Sequence, residues 1–194
     1  MAAISSGYAV YTGDDPRARP EFSALKEEMS KLSHPARSDV DWARVEQLCL
    51  ALFRLNGVEL QSAAWYTLAR AQRAGLAGIE EGLALIDGLV SHQWSQFWPQ
   101  PTHVRVEILA WLVVRLQQVL RTCVFSYIDL PLIYRTEKGL AHLCEVLQRL
   151  ELKHVSKLDN LRVQFHNSAR RLESLAQEVS LSPAAVSSIE DTTL

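Results

Sequence analysis

The chain is 194 residues long, 48% hydrophobic and 22% charged, with a formal net charge of −2. That length suits one domain with a core of its own, and the composition is that of a soluble globular protein. The near-neutral charge leaves no field to draw in nucleic acid. The longest strongly apolar run, ILAWLVV at residues 108–114, is far short of the roughly 20 residues that cross a bilayer.

Residues 1–19 hold Gly7, Gly13, two adjacent aspartates and Pro16. They read as an irregular leader. Their first ten residues lack the basic and long apolar regions of a signal peptide. A first helix follows in PEFSALKEEMSKLS, with Pro20 near its first position and Phe22, Leu25, Met29 and Leu32 at helical spacing. HPARSD breaks the chain. Asp41 is placed to cap the second helix, whose buried stripe is Val45, Leu48, Cys49 and Leu52, and Asn56-Gly57 ends it.

The third helix turns Leu60, Ala64, Trp65, Leu68 and Ala69 inward and closes at Gly75. The fourth buries Leu76, Ile79, Leu83, Ile86 and Val90. Gly78 and Gly82 lie on one of its faces, each at a cost of about 1 kcal/mol relative to alanine. The gain expected from them is close approach of a neighbouring helix. Residues 104–120 carry a wide apolar stripe and are expected to form the central, most buried helix. The next segment is expected to be interrupted near Pro131 and Gly139, with its helical half carrying Leu140, Leu143, Cys144, Leu147 and Leu150.

The last helix is predicted to begin near His154. Leu158, Leu161, Phe165, Leu172, Leu175 and Val179 recur at alternating three- and four-residue steps, with Ser168 in the one polar slot. This is a coiled-coil-like seam, able to pack inside the domain or against a second copy. The small, polar, acidic end reads as a linker. The prediction is therefore an all-α protein of about seven helices, in an antiparallel bundle or an array of helical hairpins. The divisions are a leader over residues 1–19, a helical domain over 20–180 and a linker-like tail over 181–194.

The sequence contains no P-loop, GxGxxG, GxSxG or HExxH motif. The three cysteines, Cys49, Cys123 and Cys144, are odd in number, far apart and set in apolar helical patterns. They point to a reducing, cytoplasmic setting and to buried thiols rather than disulfides or zinc. His142 and Cys144 are two apart on a helix and point different ways. The paired acids Glu27-Glu28 and Glu80-Glu81 read as solvated. No catalytic, cofactor-binding or metal residue is assigned. An enzyme or small-ligand binder with a site between helices, around Trp111 or Tyr134, stays open as an alternative to an interaction module.

The segment VSHQWSQFWPQP, residues 90–101, is the densest aromatic stretch. Val90 and Trp94 continue the stripe of the fourth helix, and Pro99 and Pro101 disfavour helix at the residues before them. Trp94 and Trp98 are read mainly as packing. Phe97 and Trp98 are also candidates for a partner surface, where aromatic residues are enriched. Leu158, Leu161, Phe165 and Leu172 of the last helix are further candidates.

Taken in order, GDDPRARPEFSALKEEMSKL, DVDWARVEQLCLALF and VELQSAAWYTLARAQRAGLAGIEEGLALIDGLVSHQWSQFWPQP resemble the ImpA-type N-terminal domain of TssA-like proteins of bacterial type VI secretion systems. The features that carry the resemblance are Asp41-Trp42, Ala63–Trp65, the glycine-rich fourth helix and the closing Trp94 to Pro99, within residues 13–120. ELQSAAWYTLARAQ and LCEVLQRLELKHVSKLDNLR resemble the TagA/VasL branch. The resemblance implies a non-catalytic interaction domain that helps control tail sheath assembly, capping or holding the distal end of the sheath. It implies TssA-like, sheath or baseplate subunits as partners. The heptads of the last helix point to self-association, and the charge and the short apolar runs to neither nucleic acid nor membrane contact by this segment. It further implies a parent protein anchored to the inner membrane through a region C-terminal to this sequence.

Overall fold

The computed structural model describes residues 11–34, 36, 38–150 and 156–181. The expected helix start near His154, the tail beyond residue 181 and the first ten residues of the leader lie outside them. Among the described residues there are six α-helices and no strand. They are α1 (Pro20–Ser30), α2 (Trp42–Asn56), α3 (Leu60–Gln93), α4 (Thr102–Leu120), α5 (Leu130–Arg149) and α6 (Ser156–Leu181).

Local chemistry sets the boundaries. Pro20 sits in the first turn of α1, where a missing N–H costs nothing. The Asp41 carboxylate accepts the Arg44 amide at 3.0 Å and so caps α2. Gly57, at φ 75°, ends α2 in the left-handed region open to glycine.

The helix α3 is two rods. At Gly75, with φ 57° and ψ −133°, the backbone leaves helical geometry and doubles back. The Tyr66 hydroxyl donates to Glu81 at 2.8 Å across the hairpin, and Arg70 donates to the same carboxylate at 3.1 and 3.2 Å. Counted as two rods, α3 brings the helices to the seven expected. The glycine face is where the rods touch. A Cβ on Gly78 would lie 2.0 Å from the Arg70 carbonyl oxygen, and one on Gly82 would lie 2.4 Å from Thr67 Oγ1. Close approach is the use expected of these glycines, and the neighbour is the first rod of α3.

The elements stack as successive antiparallel hairpins: α1 on α2, α2 on α3, α3 on α4 and α5, and α6 across α5 and α4. The expected stripes of α2 and of both α3 rods face the core; Leu48 is the one stripe residue left half-buried.

Three expectations are corrected. The centre of the molecule is α3, packed on α1, α2, α4 and α5, rather than α4, whose Trp111 is half-buried and Val114 exposed. The helix α5 is unbroken from Leu130, because Pro131 falls in its first turn and a side chain on Gly139 would meet open space. The acid pairs are not simply solvated. Glu28 is buried and accepts the Asp41 amide at 2.7 Å and Lys31 Nζ at 2.8 Å, pinning α1 to the start of α2. Burial pushes its carboxyl up, but Lys31, the Asp41 amide and Arg44 outweigh this and hold it below the usual range. Glu81 ties the α3 hairpin together. Glu27 stays exposed, and Glu80 is half-buried, 3.6 Å from Arg135.

Candidate interaction surfaces

Two apolar regions are candidates. The first is the corner between α3 and α4. Trp94 ends α3, the chain turns through Ser95 and Gln96, and Pro101 precedes α4. One residue organises the turn. Arg105, buried in the first turn of α4, donates to the carbonyls of Pro99, Trp94 and Phe97, each at 2.6 Å. Its guanidinium lies 4.6 Å from the Trp94 ring centre and 3.9 Å from that of Phe97, and the two rings meet edge-on at 5.5 Å. The charge is thus met by carbonyl dipoles at the negative end of α3 and by ring faces. Burial lowers the Arg105 pKa, but an arginine stays ionised across the working range.

This arrangement settles the aromatic stretch. Phe97 is fully buried and takes no part in the surface, which corrects its candidacy for partner contact. Trp94 is half-buried beneath Arg105. Trp98 is half-buried, its carbonyl accepts the Leu60 amide at 2.9 Å, and its ring borders a half-open groove of about 470 Å³.

Phe22, Pro99, Val104 and Ile108 make that groove mainly apolar, and Glu59 lies at its back. Glu59 caps α3, accepting the amides of Gln61 at 2.8 Å and of Ser62. Burial pushes its carboxyl up to about 7, against the pull of those amides. The other acid of the groove, Asp15, is held by Arg17 at 2.6 Å. Both carboxylates are engaged by their own neighbours, so the groove offers an apolar seat rather than converging catalytic groups.

The residues of the alternative reading do not converge either. Trp111 has Arg115 over its ring at 5.7 Å, and Tyr134 bonds Glu173 on the surface. His142 pairs with Asp87 at 2.9 Å, away from the buried Cys144. Among the described residues no group of three His, Cys, Asp or Glu side chains could hold a metal ion. Cys49 is buried with its thiol 3.4 Å from the Ser62 carbonyl, and Cys123 is half-buried; all three cysteines are free.

The second region is the seam of α6, and the structure divides it. Leu158, Leu161 and Phe165 are buried, and the Ser168 hydroxyl is satisfied by the Gln164 carbonyl at 3.0 Å. These candidates belong to the domain's own core, which corrects their candidacy for partner contact. Leu172 is half-buried, Leu175 is 56% exposed and Val179 78% exposed. Between this half of α6 and Phe125 and Tyr127 of the α4–α5 connection runs a second half-open groove of about 430 Å³. Beside it Val124 is 96% and Ile128 73% exposed. Exposed apolar residues gathered this closely mark an interaction surface more often than an ordinary one.

Sequence reasoning missed Arg105 and Glu59. A signal for Arg105 exists: it stands one turn before Ile108 and Leu109, on the same face as Leu112 and Leu116. A lone cation on an apolar stripe needs a buried partner. Nothing local announces that the partner is a turn behind it.

The sequence model of the family described as ImpA, N-terminal, type VI secretion system matches residues 2–114. No curated protein matches the chain. Among solved structures, the N-terminal domain of the TssA component of the type VI secretion system from Burkholderia cenocepacia, which includes the conserved ImpA_N region, superposes with a TM-score of 0.60. It is 22% identical, with 91% of this chain and 92% of that one covered. At this identity the likeness concerns the fold.

Proposed function

The chain belongs to the ImpA N-terminal family of type VI secretion, and on that premise we propose that it is a non-catalytic protein–protein interaction domain helping to control assembly of the tail sheath. Its parent is a TssA-like protein of the TagA/VasL kind. It works in the cytoplasm at the inner membrane, holds the distal end of the sheath, and contacts TssA or sheath subunits by surface complementarity. Among the described residues no helix is long and apolar enough to cross a membrane, so any anchor belongs to other parts of the parent.

The observation that carries the reading is the apolar cluster on the α4–α5 connection. Val124, Tyr127 and Ile128 are exposed together on the short connection between α4 and α5. A hydrophobic centre with a polar rim is the anatomy of a docking site.

The test uses purified TssA, sheath and baseplate subunits, each titrated against the domain by biolayer interferometry. The expected result is saturable binding to a TssA or sheath subunit, weakened at least tenfold by Val124→Asp combined with Ile128→Asp. Binding to none of them, by a domain with a native circular dichroism spectrum, overturns the reading.

A further inference from the structure

The open half of α6 carries a pattern of its own. With Leu158 set as position a of a heptad, a falls on Leu158, Phe165, Leu172 and Val179, and d on Leu161, Ser168 and Leu175. The first two heptads are consumed inside the domain. Beyond Leu172, which is half-buried against the core, no described helix covers the same seam, and Leu175 and Val179 are exposed. The positions beside it are specific. On one flank stands Ala176, a small residue lining the groove opposite Phe125 and Tyr127. On the other stand Arg171 and Glu178, both exposed and of opposite sign, one heptad apart.

This spacing selects an orientation. In an antiparallel pair of helices each g position faces a g position of the other helix. Two copies of α6 laid antiparallel put Arg171 of one beside Glu178 of the other, and the two-fold axis repeats the pair. Leu172 and Leu175 then share layers, and Ala176 lets the second helix come close on the groove side. In a parallel pair each g position faces an e position. Arg171 then faces Ala176 and gains nothing. The parallel arrangement also brings the two folded bodies to the same end, where the antiparallel one sets them apart.

We propose that the occupant of this groove is a second copy of the chain, paired antiparallel about the Leu172 and Leu175 layers of α6, with reciprocal Arg171–Glu178 ion pairs. The inference stands independently of the sheath role. The uncovered seam is little more than one heptad long, whereas a standard stable interface buries roughly 800 Å² per partner, so the expected dimer is reversible and forms with rising concentration.

Sedimentation equilibrium from about 1 μM to about 1 mM, a range that brackets weak affinities, tests it. The expected result is a monomer–dimer equilibrium in the wild-type chain. Arg171→Glu or Glu178→Arg alone should weaken it about tenfold, since each sets like charges opposite one another twice. The double variant R171E/E178R should restore it. Leu175→Ser should abolish it with the urea midpoint unchanged. A monomer at every concentration overturns the proposal, as does a dimer indifferent to the single reversals or not rescued by the double one. A monomer that still binds a sheath or TssA subunit overturns the dimer alone, and a dimer that binds none of them overturns only the functional reading.

Discussion

Residues 94–98 and residues 172–179 are both rich in large apolar side chains, and the structure treats them in opposite ways. The first run is closed. Arg105 reaches back from α4, fastens three carbonyls and covers two rings, so Phe97 disappears from the surface. The second run is left largely open: among the described residues full burial along α6 ends at Ala169, Leu172 is half-buried, and Leu175 and Val179 are exposed. Hydrophobicity alone does not separate these cases. What separates them is whether another element supplies the matching surface, and at the corner that element is one cation.

The comparison breaks most sharply at Arg105. Arg105→Met keeps much of the volume but strands three carbonyls in a buried site, at about 1–3 kcal/mol for each group that water cannot reach. A net loss of about 3–5 kcal/mol is expected in urea unfolding, together with a changed near-ultraviolet spectrum from Trp94. A loss below about 1 kcal/mol would mean that the corner is held by packing alone.

Next come the two halves of the seam. Leu161→Ala empties a fully buried site and should cost about 2–5 kcal/mol, whereas Leu175→Ala, on the same helix, should change the stability of the monomer by less than about 0.5 kcal/mol. Equal effects at the two sites would erase the distinction between them.

A further test is pH. The Glu59 carboxyl titrates near 7 in the folded chain against an ordinary 4.5. The folded state therefore binds more protons than the unfolded state in between, and stability falls as pH rises from about 4.5 to about 7. The largest drop this shift allows is about 3 kcal/mol. Glu59→Gln should flatten that part of the profile. An unchanged slope would assign the dependence to other groups.

What the sequence made legible was local. The Asp41 cap, the Gly57 stop, the Gly75 reversal and the tight Gly78–Gly82 face each follow from a residue whose backbone or missing side chain has a short-range consequence. The family followed from an ordered set of such pieces. What stayed hidden was nonlocal. Glu28 reads as a surface acid until the start of α2 is brought against it, and Glu81 reads so until Gly75 folds Tyr66 and Arg70 onto it. The burial of Phe97 depends on a guanidinium eight residues later, across a turn that the two prolines shape. The α6 seam was legible as a seam, but its division into a covered and an open half depends on where α5 and α4 end.

The cysteines give the molecule a built-in set of clocks. Cys123, on the α4–α5 connection, is half-buried and should react with a thiol reagent in the native state. Cys49 is sealed between α2 and α3, its thiol pushed well above its ordinary pKa by burial. No reagent reaches it until those helices part. Without denaturant, the fast phase of alkylation would report the accessibility of the α4–α5 connection, and the slower phases how often the helices over Cys49 and Cys144 part.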